Sequence, residues 1–176
     1  MNTSATSSHN VTSTSPGDWK YVSEGGATIV FSYCGPPDPV FTGTVLRLRK
    51  VSRNLNKDVG LHSDSGSAAF EGEEEEPDDP SISFQQKVIS QLIPPAYLPR
   101  LEPVHVDQRW LEALKTVSEK VRPVERQLKD ELDVHHHKGV LATDLVGGEG
   151  LAVEIKVSKD NHPYSLCFLT LRLFLL

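Results

Sequence analysis

Apolar and polar positions are most regularly ordered between Trp19 and Lys50. Thr28–Tyr33 is dense in β-branched and aromatic residues. Val45–Lys50 sets Val45, Arg47 and Arg49 on one side against Leu46, Leu48 and Lys50 on the other, the period of two that a pleated strand imposes. With the half-apolar Lys20–Ser23 ahead of them, these segments predict three strands. Gly25-Gly26 turns the first into the second, and Gly35, Pro36, Pro37 and Pro39 break the chain before the third. Trp19 opens the folded part and is expected to pack under the first strand.

Beyond Ser81 the period lengthens. Phe84, Val88, Ile89, Leu92 and Ile93 form a stripe at helical spacing, with Ser81 or Ser83 as the expected cap and Pro94-Pro95 as the stop. Val104–Val106 reads as extended. Asp107 is placed to cap a second helix from Gln108 to about Lys120, with Trp110, Leu111, Leu114, Val117 and Val121 on a core-facing side. Gly139–Leu145 reads as a buried strand running into a hinge. Leu151–Lys156 is the last strand, with Val153 and Ile155 on one face and Ala152, Glu154 and Lys156 on the other. Residues 1–17, rich in Ser, Thr and Asn, are expected to lack structure, and residues 52–80 to form a mobile acidic insertion. The strongly apolar end of the chain is too short for a membrane span, which needs about 20 residues, and is expected either to pair as an edge strand or to stay exposed.

Composition adds three constraints. A chain of 176 residues supports one modest domain. The formal net charge of -6 argues against a general nucleic-acid binder. Seven of the 24 acidic residues fall in Glu71–Asp79, without a base among them, so the rest of the chain sets 17 acids against 18 bases and leaves room for an anionic ligand. Cys34 and Cys167 are the only cysteines and read as free thiols of a reducing compartment. The start of the chain shows no secretory pattern, and no membrane attachment is expected. His135-His136-His137 cannot all face one ion from regular structure, so they are read as a polar loop and no metal ligand is assigned.

The chemistry concentrates on the strands. A turn such as Gly25-Gly26 can bring backbone N–H groups close to a phosphate, because glycine accepts φ > 0 and lets the backbone approach a ligand. Arg47, on the third strand, stands where a kinase-type lobe carries the cation that pairs with nucleotide phosphates. A plain hairpin with basic residues on a solvated face satisfies the same spacing.

The wording of these segments favours the first reading. Glu24-Gly25-Gly26-Ala27, followed by Ile29–Tyr33, Phe41-Thr42-Gly43 and Val45–Lys50, resembles the start of the inositol-pentakisphosphate 2-kinases. More than 100 residues later, Val153-Glu154-Ile155-Lys156 is similar to the opening of that family's Glu-x-Lys-Pro-Lys motif. Arg122-Pro123-Val124-Glu125-Arg126 resembles its Arg-Pro-x-x-Arg. The resemblance implies an α+β fold: a protein-kinase-like N-terminal lobe with a twisted antiparallel sheet, one or two packed helices and the C-terminal lobe absent. It implies that residues 18–156 are the N-terminal lobe of an enzyme that uses ATP and Mg²⁺ to phosphorylate the 2-hydroxyl of inositol 1,3,4,5,6-pentakisphosphate, giving the hexakisphosphate, phytate. On that basis Glu24, Gly25, Gly26, Ala27, Arg47, Asp144 and Glu154 serve ATP, and Arg126 and Lys156 hold the phosphates of the inositol substrate. Arg126 is equally readable as a surface arginine paired with Glu125 or Asp130. At the hinge, Thr143-Asp144-Leu145 keeps only the Asp of the family's Asn-Asp-His-type triplet.

After Lys156 the resemblance stops. The family continues Pro-Lys into a second lobe that carries the catalytic and metal-binding aspartates, so no catalytic or metal residue is assigned to this chain and little turnover is expected of it. Residues 157–176 are read as a tail foreign to the family; Val157-Ser158 can be encoded as an intron start, consistent with translated intron. A monomer in nucleus or cytoplasm is expected. Two other readings remain: a different kinase-like ATP-binding lobe, and a non-catalytic interaction module using the acidic run or the Pro-rich loops.

Overall fold

The computed structural model describes residues 9–53, 76–145 and 147, together with the backbone of Leu151–Ser158 and Phe168–Leu175. The chain divides into two units, Met1–Thr143 and Asp144–Leu176.

The first unit is α+β, built on a seven-stranded sheet. Its strands are β1 (His9–Asn10), β2 (Trp19–Glu24), β3 (Thr28–Tyr33), β4 (Thr44–Ser52), β5 (Leu101–His105), β6 (Asp130–Leu132) and β7 (Lys138–Thr143). The order across the sheet is β1-β5-β7-β4-β3-β2, with β6 attached to the far end of β4. All pairs are antiparallel except the short parallel pair of β1 with β5. The predicted strand Thr28–Tyr33 is found with those bounds, and its neighbours run slightly longer than expected.

One sheet face carries the core. Ile29, Phe31, Leu46, Leu48 and Leu141 are buried there under the helix α2 (Gln108–Ser118), which contributes Trp110, Leu111 and Leu114. Asp107 caps α2 as expected, its Oδ1 accepting from the N–H groups of Arg109 and Trp110. Trp19 is buried at the centre of an aromatic cluster, in edge contact with Tyr33, Phe41 and Trp110. The expected core stripe of α2 is cut short: the helix ends at Ser118, and Val117 and Val121 are exposed.

Residues 9–17 are not a structureless tail. After β1 the chain makes two 3-10 turns, Val11–Ser13 and Pro16–Asp18, the second closed by a reciprocal capping box between Ser15 and Asp18. Val11 is fully buried. Thr14 serves both tryptophans: its hydroxyl accepts from Trp19 Nε1 and its carbonyl from Trp110 Nε1, each at 2.8 Å. A polar composition concealed one buried valine and a set of short-range hydrogen bonds. Residues 1–8 lie outside the described residues.

The acidic insertion also differs where it can be described. Residues 54–75 lie outside the described residues, but Glu76–Asp79 is tied down. Glu76 pairs with His136 and accepts from the His137 N–H, and Asp78 Oδ1 lies 2.9 Å from Lys138 Nζ. Asp79, rather than Ser81 or Ser83, caps the helix α1, which opens as Pro80–Phe84, widens to π pitch over Gln85–Ile89 and closes over Ser90–Leu92. Ile82 is the buried anchor of α1. Of the expected stripe, Phe84, Val88, Leu92 and Ile93 are exposed and Ile89 is half-buried.

In the second unit β8 (Leu151–Ser158) pairs antiparallel with β9 (Phe168–Leu175), so the apolar end of the chain does form a strand. No helix among the described residues is long and apolar enough to cross a membrane.

Candidate functional site

The β2–β3 turn runs from Glu24 to Thr28. Gly25 N–H donates to the Thr28 carbonyl at 2.9 Å, and Lys50 N–H of β4 donates to the Ala27 carbonyl at 3.0 Å. Neither Gly25 nor Gly26 has a positive φ, and a Cβ built on either would meet nothing within 4 Å. The turn therefore does not use the left-handed conformation for which glycine is the usual choice. No atom of the chain crowds these positions either. The missing side chains leave this stretch of backbone open to close approach.

The turn is fastened from the core side. Glu24 is paired with Arg122, Nη2 to Oε2 at 2.8 Å, and with Lys50 Nζ at 3.3 Å. Lys50 also reaches Asp130 Oδ2 at 2.8 Å. The Arg122 guanidinium, wholly buried, donates further to the Asp130 carbonyl. Tyr21 Oη donates to Glu24 Oε1 at 3.3 Å. Burial pushes the Glu24 carboxyl up, but the hydrogen bonds and charges of Arg122 and Lys50 outweigh it and hold it below the ordinary carboxylate range. The Lys50 hydrogen bond is the main cause that lowers Asp130 as well. The Glu24 carboxylate is thus committed inward, and what stands at the turn is its backbone.

Sequence reasoning missed Lys50, Arg122 and Asp130. The signal was present at Lys50, which falls on the side of Leu46 and Leu48: a lysine in phase with buried leucines requires a buried anionic partner.

Arg47 lies on the opposite sheet face. It stands in register with Val30 of β3 and Val140 of β7, two steps, about 7 Å, along β4 from the Thr28–Arg49 pair that closes the turn. Arg47, Val30 and Val45 are half-buried, while Val140 and Ala142 are buried. Burial raises the Asp79 carboxyl, but its Ser81 hydrogen bonds and the charges of Arg47 and Arg49 prevail and lower it. Arg47 thus lies inside the sheet, two residues along β4 from the pair that closes the Gly25–Ala27 turn.

The other predicted residues are more scattered. Arg126 is exposed on the helix α3 (Val124–Lys129), four positions after the buried Arg122, and makes no ion pair among the described residues. Asp144 follows β7 directly, and its Oδ1 accepts from Gly147 N–H at 2.6 Å. Glu154 and Lys156 lie on β8 in register with Arg172 and Thr170 of β9, and their side chains fall outside the described residues, as does most of the glycine turn before them.

Comparison with known proteins names the family. The family model described as inositol-pentakisphosphate 2-kinase matches residues 21–157. A protein of Cryptococcus neoformans var. neoformans serotype D named inositol-pentakisphosphate 2-kinase is 29% identical over 149 residues, covering 81% of this chain and 32% of its own. One of the same name from Arabidopsis thaliana is 29% identical over 170 residues, covering 84% of this chain and 37% of its own. The chain belongs to the inositol-pentakisphosphate 2-kinase family. It spans about a third of the length of the curated relatives it matches.

Proposed function

We propose that residues 18–156 form an ATP-binding lobe of protein-kinase type. Its enzyme transfers the γ-phosphoryl group of ATP to the 2-hydroxyl of inositol 1,3,4,5,6-pentakisphosphate, giving the hexakisphosphate. The observation that supports the reading is an uncrowded Gly25-Gly26 turn with Arg47 two residues along β4 from the pair that closes it. In this reading the Gly25, Gly26 and Ala27 backbone lies over the phosphates and the Arg47 guanidinium pairs with them through its fork of donors. The half-buried Val30 and Val45 offer apolar surface to the base, and the segment at Asp144 holds its edge. Arg126 and Lys156 hold phosphates of the inositol, and Glu154 lies toward the nucleotide.

Phosphoryl transfer rests on positioning and on neutralising charge, with metal ions bridging the phosphates. Among the described residues no three His, Cys, Asp or Glu come together as a metal set. The reading assigns this chain binding and positioning, without a metal step. In this reading the proton-accepting and metal-binding aspartates belong to the part of the relatives that this chain does not match, so the 176 residues by themselves are expected to turn over little or nothing. A turnover assay with ATP, Mg²⁺ and inositol pentakisphosphate tests this: no hexakisphosphate is expected, and sustained production would refute the inactive-lobe part of the reading.

A further inference from the structure

Resting on that nucleotide reading, we infer that Glu24, Lys50, Arg122 and Asp130 are positioning residues for the triphosphate, acting through the glycine turn without touching the ligand. Lys50 holds the turn at two points, its backbone N–H on the Ala27 carbonyl and its Nζ on the Glu24 carboxylate immediately before Gly25. Arg122 fixes the same carboxylate from the segment between α2 and α3, with the Glu24 side chain 2% exposed and its own fully buried. Asp130, at the rim, holds Lys50 in place. Gly25 N–H is held by the Thr28 carbonyl, and a Cβ built on Gly26 would meet nothing within 4 Å, so no packing of its own fixes where the Gly26 backbone points. The ion pairs supply what packing does not.

The consequence is selective. Phosphates contacted by the turn depend on the clamp, while the base, resting on β-strand side chains, does not. The test titrates ATP and adenosine separately against the 176-residue chain. Glu24→Gln is expected to weaken ATP about tenfold, the scale of one charge-assisted hydrogen bond, and to leave adenosine unchanged. Asp130→Asn is expected to weaken ATP about threefold, because the Glu24 arm of the clamp remains. Lys50→Arg, which keeps the charge and can still donate, is expected to retain more ATP affinity than Lys50→Gln. Val104→Ala, a core change on β5, is expected to leave the ratio of the two affinities alone even as it lowers the melting temperature.

Equal losses for ATP and adenosine, or no change in either, would overturn the inference. If Glu24→Gln does not fold, the ratio measured in Asp130→Asn decides in the same way. Failure of the wild-type chain to bind ATP at all would instead overturn the nucleotide reading, and this inference with it.

Discussion

Arg122 and Glu24 are 98 positions apart in sequence and meet at 2.8 Å, with side chains 0% and 2% exposed. A pair sealed this far from water is strong only while complete, since either charge left alone pays a large desolvation penalty. Arg122→Ala is therefore expected to cost about 3–5 kcal/mol in urea unfolding. Arg126→Ala, four positions further on and exposed, should stay within about 0.5 kcal/mol of wild type. In the proposed reading it is Arg126→Ala that loses affinity for inositol pentakisphosphate. A stable Arg122→Ala protein would show that the pair contributes little to the fold.

The glycines make the opposite prediction. Because neither has a positive φ and neither is crowded, Gly25→Ala should fold as well as wild type, with a gain of up to about 1 kcal/mol from reduced freedom of the unfolded chain. Its ATP affinity should nevertheless fall, since the new methyl occupies the space through which the backbone is approached. Thermal melting and a nucleotide titration on the same preparation measure both. Lost stability with unchanged ATP affinity would return the turn to a plain hairpin.

The segment at residues 9–17 should behave as core. Val11→Ala is expected to cost on the order of 2 kcal/mol, the scale of truncating a buried aliphatic side chain. Deleting residues 1–17 should also remove the Thr14 bonds to Trp19 and Trp110, and tryptophan fluorescence should shift to the red. A deletion protein with wild-type fluorescence and unfolding midpoint would rule that contribution out.

Acid should loosen the clamp. The Glu24 and Asp130 carboxyls are held below their ordinary values of 4.5 and 3.8, so the folded state binds their protons less readily than the unfolded state does. Their contribution is complete above that range and is lost as the pH falls through the lowered folded values. Urea midpoints should hold steady down to the ordinary carboxylate range and then drop, with a shallower drop in Glu24→Gln. A midpoint that rises on acidification would reverse the assignment.

Strands β2–β4 were legible because they are patterned and bounded by turn residues, whereas β1 and β6, two and three residues long, carry no period to read. Asp107 was legible as a cap because it directly precedes a helical period. The α1 stripe misled because period reports a helix without saying what covers it; Phe84 and Leu92 are exposed. The clamp was hidden by distance: nothing near Glu24 in sequence points to Arg122, and only the phase of Lys50 among leucines hinted at a buried partner. The places of the glycine turn after β2 and of Arg47 on β4 were readable from the strand pattern. The inward commitment of Glu24 required the packed structure.

The most direct measurement is a calorimetric titration of Mg-ATP into the purified 176-residue chain and into Arg47→Ala. The nucleotide reading predicts saturable binding, displaced by ADP, that weakens at least tenfold in Arg47→Ala while its melting temperature stays near that of wild type, about 1.4 kcal/mol of binding free energy. No saturable binding at ATP concentrations up to about 1 mM, the weak limit for a working nucleotide site, or equal affinity in the two proteins, would contradict it.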